Sequence, residues 1–342
     1  MCQCFIIPKD VLDRFANDPS LSEAERKSFA DMAKHEPHWR KVRSLLTPAN
    51  ALALQSLSGQ VTLAKIPAVT VYNLATGTSL PGRPLPNPGV VSDKTAARAF
   101  NQTTAVANFY QQVFGRNSLD NRAMTLQSSI HYGVKYNNAF WNGSQMAYGD
   151  GDGNIFVDFT QGNDVIGHEL THGFTQFSAQ LAYINEAGGL NESISDVFGS
   201  MFRQWSAKQE VSHADWLIGK EIMGPGALKK GYTCLRDLSK PGAAHCLAPQ
   251  PDHYSAYQPG MDPHYSSGIA NFAFCTAAMS IGGYSWEKTG QIWYLALTNF
   301  KPSPNMKMKT FADRTRKLAH QKYPKDLSIF KAVDDAWTRV GL

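Results

Sequence analysis

No stretch of this 342-residue chain approaches the run of about 18 apolar residues that a membrane-spanning helix needs, which excludes a helical membrane protein. The N-terminus, MCQCFIIPKDVLDRF, lacks a basic leader and has three apolar residues before Pro8. A signal peptide is therefore not expected, which points to a cytoplasmic protein or one secreted by a non-standard route. Blocks of Lys or Arg are also missing, and a net charge of +5 is small for this length, so nucleic-acid binding has no support. Cysteine is scarce: five residues, at 2, 4, 234, 246 and 275, an odd number that argues against a fully paired disulfide framework. Cys234 and Cys246 either pair around a loop or remain buried thiols. Internal repeats are absent. What remains, with 43% hydrophobic and 18% charged residues, is a globular chain long enough for two domains and an appendage.

Taken in order, residues 1–60 read as a separate helical unit. Val11, Leu12 and Phe15 follow Pro8, and Ser22-Glu23-Ala24-Glu25 is a capping box opening a helix towards His35, with Pro37 as its end. Arg43 to Leu57 is again helix-like. From Val61 the pattern turns to strands: VTLA, Val69-Thr70-Val71-Tyr72, Met124 to Tyr132 and Gln145 to Tyr148, with a helix over Thr95 to Phe114. Gly149-Asp150-Gly151-Asp152-Gly153 reads as a hairpin turn before Ile155-Phe156-Val157, or as a calcium loop, although no glutamate follows at EF-hand spacing. Beyond Trp205 the spacing predicts helices over Leu217 to Met223, Ile269 to Ser280, Thr289 to Phe300, Thr310 to Gln321 and Leu327 to Val340.

The chemistry concentrates between Asp164 and Trp205. His168-Glu169-Leu170-Thr171-His172 has no Gly or Pro between its histidines. On a helix the two imidazoles lie roughly 6 Å apart on one face and can share an ion, with Glu169 beside it. Catalytic zinc needs three protein ligands and one open position, and Glu192, on a second amphipathic pattern from Leu190 to Trp205, is the candidate third. Gly188-Gly189 is expected to break the chain between the two helices. Asp196, four residues beyond Glu192, is placed to accept the second ring N–H of a ligating histidine. A β-rich part followed by a helical part, with this helix at the junction, predicts a cleft between two lobes.

HELTH, the later Asn191-Glu192-Ser193-Ile194-Ser195-Asp196 and the earlier Tyr136-Asn137-Asn138-Ala139-Phe140-Trp141-Asn142-Gly143 together resemble the thermolysin family of zinc endopeptidases, from about Val69 to Leu342. Pro8-Lys9-Asp10-Val11-Leu12-Asp13-Arg14 resembles the pro-segment of protealysin-like members, with Ile7 in place of the first of the usual paired prolines. The resemblance implies an α+β, two-lobed metallopeptidase made as a zymogen: a pro-segment (1–60) that covers the cleft until removed, a β-rich lobe (61–162), and the zinc helix with an all-helical lobe (163–342). It implies a monomeric zinc-dependent neutral endopeptidase acting on protein or peptide substrates at the amino side of bulky apolar residues. Glu169 would be the general base, with Tyr183 and His264 stabilising the transition state. Asn138 and Ala139 would bind the substrate backbone and Arg236 its carbonyl, while Val165, Ile218 and Leu235 line the pocket beyond the scissile bond. The family commonly has an aspartate five residues before its counterpart of His264; Pro259 stands there, and Asp262 is the candidate replacement. The double-calcium site of many relatives is expected to be absent, because Asp164 and Asp215 remain but Arg203, Leu217 and Lys220 occupy the other matching positions.

Two other readings compete. A zinc exopeptidase also uses H-E-x-x-H with a distant glutamate, but the acidic or G-x-M-E-N elements that grip a substrate terminus are not seen. A catalytically silent zinc-stabilised module has no need of Glu169 and would close its site with four protein ligands. A thiolate of Cys2 or Cys4 reaching the zinc of the precursor is a further expectation, weighed against inert terminal thiols.

Overall fold

The computed structural model describes residues 4–45 and 67–342. The expectations for Cys2, for the helix-like stretch after Leu45 and for VTLA lie outside those residues, as does the side chain of Cys4. A six-stranded mixed sheet is built from β1 (Cys4–Phe5), β2 (Val69–Asn73), β3 (Arg83–Pro84), β4 (Leu126–Ile130), β5 (Ala139–Trp141) and β6 (Met146–Tyr148), in the order β1-β5-β6-β4-β2-β3. The pairs β2/β4 and β4/β6 are parallel and the others antiparallel. The first strand comes from the N-terminal unit, so the sheet's edge is completed by a segment more than 130 residues away in sequence.

That unit continues through α1 (Lys9–Ala16) and α2 (Glu23–Leu45). The capping box is formed, since Ser22 Oγ accepts from Glu25 N and Glu25 Oε2 accepts from Ser22 N at 2.8 Å. α2 does not end at Pro37 as expected but runs to Leu45. A proline removes one backbone donor and clashes locally, which a helix can absorb as a bend. Val11, Leu12, Phe15 and Phe29 are fully buried, with Phe15 packed between Phe29 and Phe156.

α3 (Lys94–Phe114), capped by Asp93, lies on β2 and β4, and its Tyr110 and Phe114 join Phe174, Phe198 and Tyr294 in an aromatic cluster. This cluster underlies α4 (Asn163–Gln176) and α5 (Asn185–Ala207), the two helices that carry the H-E-x-x-H and N-E-x-x-S-D residues. They pack closely because glycines face each other where they cross. A Cβ at Gly199 would lie 2.6 Å from the Asp164 carbonyl oxygen, and one at Gly167 3.1 Å from Gly199 Cα. Gly188 and Gly189 do not break the chain as expected; they sit inside α5, and residues 177–184 make the connection. Cβ atoms there would meet Pro263 Cγ at 2.8 Å and Ser266 Oγ at 2.4 Å, so these glycines admit α7 (Pro263–Ile281) against α5.

Between α5 and α7 the chain makes the hairpin-like pair β7 (Leu217–Ile218) and β8 (Arg236–Asp237), and the short α6 (Pro225–Lys229). The helix expected over Leu217 to Met223 is therefore a strand followed by a 3-10 turn. Pairing with β8 and the left-handed Gly219 (φ 70°) prevail there over local apolar spacing. The lobe closes with α8 (Lys288–Thr298), α9 (Met308–Lys322) and α10 (Leu327–Arg339), Trp293 stacking on Trp337 in the core. Among the described residues no helix is long and apolar enough to cross a membrane.

Two polar knots stand at places singled out in the sequence. Asp152 Oδ1 accepts from the backbone N–H groups of Asn154, Ile155 and Phe156, and Phe156 bridges to Met223, so the Gly149–Gly153 segment is a side-chain-closed loop and not a hairpin. Arg203 reaches Asp164 at 3.4 Å and Glu221 at 3.7 Å and pairs with Asp215, which also holds Lys220 at 3.2 Å. Burial pushes the Asp164 carboxyl up to about 6, against the pull of Arg203.

Candidate active site

The crossing of α4 and α5 turns His168, His172 and Glu192 towards one point. The Nε2 atoms of the two histidines are 3.1 Å apart, and Glu192 lies 3.4 Å from the first and 3.5 Å from the second. Each ring is held from behind: His168 Nδ1 faces Asp196 Oδ1 at 2.9 Å, and His172 Nδ1 faces Asn191 Oδ1 at 2.9 Å and Ser195 Oγ at 3.1 Å. Acceptors at Nδ1 fix the protons there and leave two Nε2 lone pairs directed at each other. Glu192 Oε2 is buried and has no hydrogen-bond partner. Two facing lone pairs and an unsatisfied carboxylate oxygen require a cation between them. The fit to zinc is close, because donors about 2.0–2.1 Å from a tetrahedral ion stand about 3.3–3.5 Å from one another. All three residues are buried, and their donor atoms form a group within 4.8 Å.

The electrostatics show how strongly the carboxylates gathered here demand positive charge, which ring protons supply in the absence of a cation. Burial disfavours a charged His168, yet Asp196 and Glu192 outweigh it and carry its pKa up to about 9. Burial would raise Glu192, but the rings of His264, His172 and His168 hold it well below the usual carboxylate range. Asp196 is likewise lowered to about 2 against its burial, because Arg236 grips both its oxygens at 2.7 and 2.8 Å while His168 binds it. Asn271 adds a fourth hydrogen bond to that carboxylate.

The remaining predicted residues surround this point. Glu169, next to His168, accepts from Trp141 N at 2.9 Å, which ties its carboxylate to β5. Tyr183 donates to Glu192 and lies 3.3 Å from His264 Nε2. His264 opens α7, where Asp262 Oδ1 accepts from its backbone N–H at 3.0 Å and faces its Nδ1 at 2.8 Å, so one carboxylate caps the helix and orients the ring. Asp262 thus stands where Pro259 offers nothing. Burial lowers the His264 pKa, but Glu192 and Asp262 prevail and raise it. Ile218 and Leu235 are joined by a backbone hydrogen bond of 2.8 Å, and Asp164, beside Val165, accepts from Gly219 N at 2.8 Å; all three apolar side chains are buried.

The N-terminal segment lies across this site in register. Phe5 O accepts from His264 Nε2 at 2.6 Å, Ile6 N donates to Ala139 O at 3.3 Å, and Ile6 O accepts from Arg236 at 3.2 Å. Ile7 exchanges hydrogen bonds with the Asn138 side chain, at 3.1 Å to its oxygen and 3.3 Å from its nitrogen. His168, His172, Glu192, Glu169, Tyr183, His264, Asp196, Asp262, Asn138, Ala139 and Arg236, all singled out in the sequence, take part in the contacts above. Sequence reasoning missed Asn191, Ser195, Asn271 and Trp141 N. The first two were available as an i, i+4 pair beside Glu192 and Asp196; the others are set by tertiary contacts.

The chain matches the family model described as Thermolysin metallopeptidase, catalytic domain, over residues 52–176, and the one described as Thermolysin metallopeptidase, alpha-helical domain, over residues 179–342. It is 39% identical to Protease PrtS of Photorhabdus sp. (strain Az29), covering 80% of this chain and 76% of that protein. It is 40% identical to an Extracellular metalloprotease of Pectobacterium carotovorum subsp. carotovorum, covering 77% and 78%. The solved precursor of protealysin, a metalloproteinase from Serratia proteamaculans, superposes with a TM-score of 0.84 at 36% identity over 99% of both chains.

Proposed function

The chain belongs to the thermolysin family of metallopeptidases, as a zinc-dependent neutral endopeptidase made as a precursor, and from that premise we propose how its residues divide the work. His168, His172 and Glu192 hold the zinc, which when bound supplies a Lewis acid and lowers the pKa of water to about 7. Glu169 accepts the proton of the attacking water and passes it to the leaving amine. Tyr183 and His264 donate to the oxyanion, His264 being kept protonated and aimed by Asp262. Asp196 orients His168 and, through its pair with Arg236, couples the metal ligand to the substrate clamp.

The observation that supports this division best is the docking of Cys4 to Ile7. It occupies the edge of β5 as a substrate strand would, with a carbonyl at His264, the next amide at Ala139 and the next carbonyl at Arg236. In this register residue 6 lies just beyond the position of the cleaved bond and is Ile, which suits a pocket of Val165, Ile218 and Leu235 without charge. Residues 1–60 are the pro-segment, 61–162 the β-rich lobe and 163–342 the zinc helix and helical lobe. The finer specificity follows: cleavage before Leu, Phe, Ile or Val. Mass spectrometry of denatured proteins digested by the mature enzyme should show such cuts, and cuts clustered before Lys, Arg, Asp or Glu would refute it. Intact mass of the full chain incubated with zinc should record loss of the N-terminal unit, blocked by a chelator.

A further inference from the structure

Away from the catalytic donors, the loop between β8 and α7 folds back so that two cysteines twelve positions apart meet at its base. Thr233 N donates to His245 O at 3.0 Å and Leu247 N to Cys234 O at 2.9 Å, setting the two segments side by side as a short parallel bridge. We propose that Cys234, Cys246 and His245 form a second metal site, one that takes a thiophilic divalent cation of the zinc class, leaves its fourth position to water on the exposed side of His245, and clips β8 in place.

Four observations carry this. The two sulfurs are 3.8 Å apart, far beyond the ~2.05 Å of a disulfide and equal to the ~3.8 Å that separates two thiolates each ~2.3 Å from a tetrahedral zinc ion. A ring nitrogen of His245 lies within 4.8 Å of both sulfurs, in a group whose burial rises from the partly exposed imidazole to the two buried thiols, so the site has both an interior and an entrance. Asp237 is 3.2 Å from His245 Nε2 and is itself fixed by Ser239 and Lys240 N, the outer-shell carboxylate that commonly accompanies a ligating histidine. Finally, two thiolates and one divalent cation sum to zero charge, which suits side chains that are 0% and 1% exposed, whereas an isolated thiolate there would be costly. A disulfide would account for the cysteines but leave the convergence of His245 and Asp237 unused. Binding releases the two thiol protons to solvent.

The site has a mechanical meaning. Cys234 and Asp237 bracket Leu235 and Arg236, one lining the pocket and the other gripping Asp196 and the Ile6 carbonyl. A metal held by Cys234, with Asp237 behind its His245 ligand, fixes both ends of that dipeptide.

The test counts metal in full-length protein carrying Glu169→Ala, which cannot digest itself, after zinc loading and desalting. About two zinc ions per chain are expected, falling to about one with added Cys234→Ser or His245→Ala, and to about one with added His168→Ala. Should the cysteine variant fail to fold, an organomercurial added to the chain with all its thiols should release one zinc. Cobalt loading should give the near-ultraviolet thiolate charge-transfer band, lost in the His168-intact, Cys234→Ser chain. One zinc in the parent that is removed by His168→Ala and not by the mercurial would overturn the second site while leaving the catalytic reading standing. Two zinc ions indifferent to both Cys234→Ser and His245→Ala would also overturn it. So would a non-reduced mass two hydrogens short, which would make the pair a disulfide.

Discussion

Removing the carboxylate of Glu169 should leave zinc binding intact, because His168, His172 and Glu192 are each positioned by Asp196, by Asn191 with Ser195, and by Tyr183. Glu169→Ala is therefore expected to keep its catalytic zinc and lose peptidase activity by about 10²–10⁴-fold or more, the usual worth of a general base. His168→Ala, His172→Ala and Glu192→Ala should lose the catalytic zinc and activity together. Elemental analysis beside a peptide assay separates the two groups, and zinc loss in the Glu169 variant would count against the role given to it. At this scale the sequence was informative wherever chemistry is local. His168 and His172 share a helical face, Glu192 and Asp196 share another, and Asp262 lies two residues from the ring it orients. It was silent on the proximity of Trp141 N to Glu169 and of Asn271 to Asp196, which depends on strand placement and on how α7 crosses α5.

Helix crossing is where single atoms decide the site. A methyl group at Gly199 would sit 2.6 Å from a backbone oxygen of α4 and 3.1 Å from His168 N, neither of which can rotate away. Gly199→Ala in the Glu169→Ala background should destabilise by about 1–3 kcal/mol and weaken zinc retention, since α4 and α5 must separate. Calorimetry and metal analysis measure both effects, and an unchanged midpoint with full zinc would show that the crossing is not tight. A second element-scale prediction concerns His131, which ties Asp150 at 2.8 Å to Asp93, the cap of α3, at 2.9 Å. Asp150 first, then Asp93, carry its pKa up to about 9 against partial burial. Because the folded value exceeds the unfolded one of about 6.5, the stability it contributes is complete below about pH 6.5 and is lost as pH rises through about 9. The gap in thermal midpoint between the Glu169→Ala chain and the same chain with His131→Gln should close over that range; a gap constant with pH would argue against it. Elements also show why local patterns mislead. Gly188 and Gly189 look like a breaker but are the flat face on which α7 rests, and Leu217 to Met223 has helical spacing but is claimed by β8.

For the molecule as a whole, Arg203 and Lys220 stand among Asp164, Asp215 and Glu221, and we propose that their positive charge does there what a bound cation would otherwise do. The thermal midpoint of the zinc-loaded Glu169→Ala chain should be the same with millimolar calcium or with a calcium-selective chelator. A rise of several degrees on adding calcium would mean that about six oxygen ligands are gathered somewhere after all. The two-lobed plan was legible because strand-like alternation gives way to helical spacing near Asn163, and the pro-segment was legible as a separate helical unit. Its manner of attachment was not. Phe5, Ile6 and Ile7 read as a short apolar start, and nothing local tells that they pair with a strand so distant in sequence.

On the proposed reading of residues 4–7 as a stand-in for substrate, that pairing sets what kind of chain the mature enzyme would digest. Once the N-terminal unit leaves, β5 is an open sheet border whose main-chain groups demand a partner, and the partner must offer at least three consecutive residues with their own amides and carbonyls uncommitted. A helix or an inner strand of a native protein has already spent those groups on itself. Susceptibility should therefore be governed first by the foldedness of the target and only second by its side chains. Natively compact proteins should be cut at loops and frayed ends, and the same proteins should become general substrates when they melt.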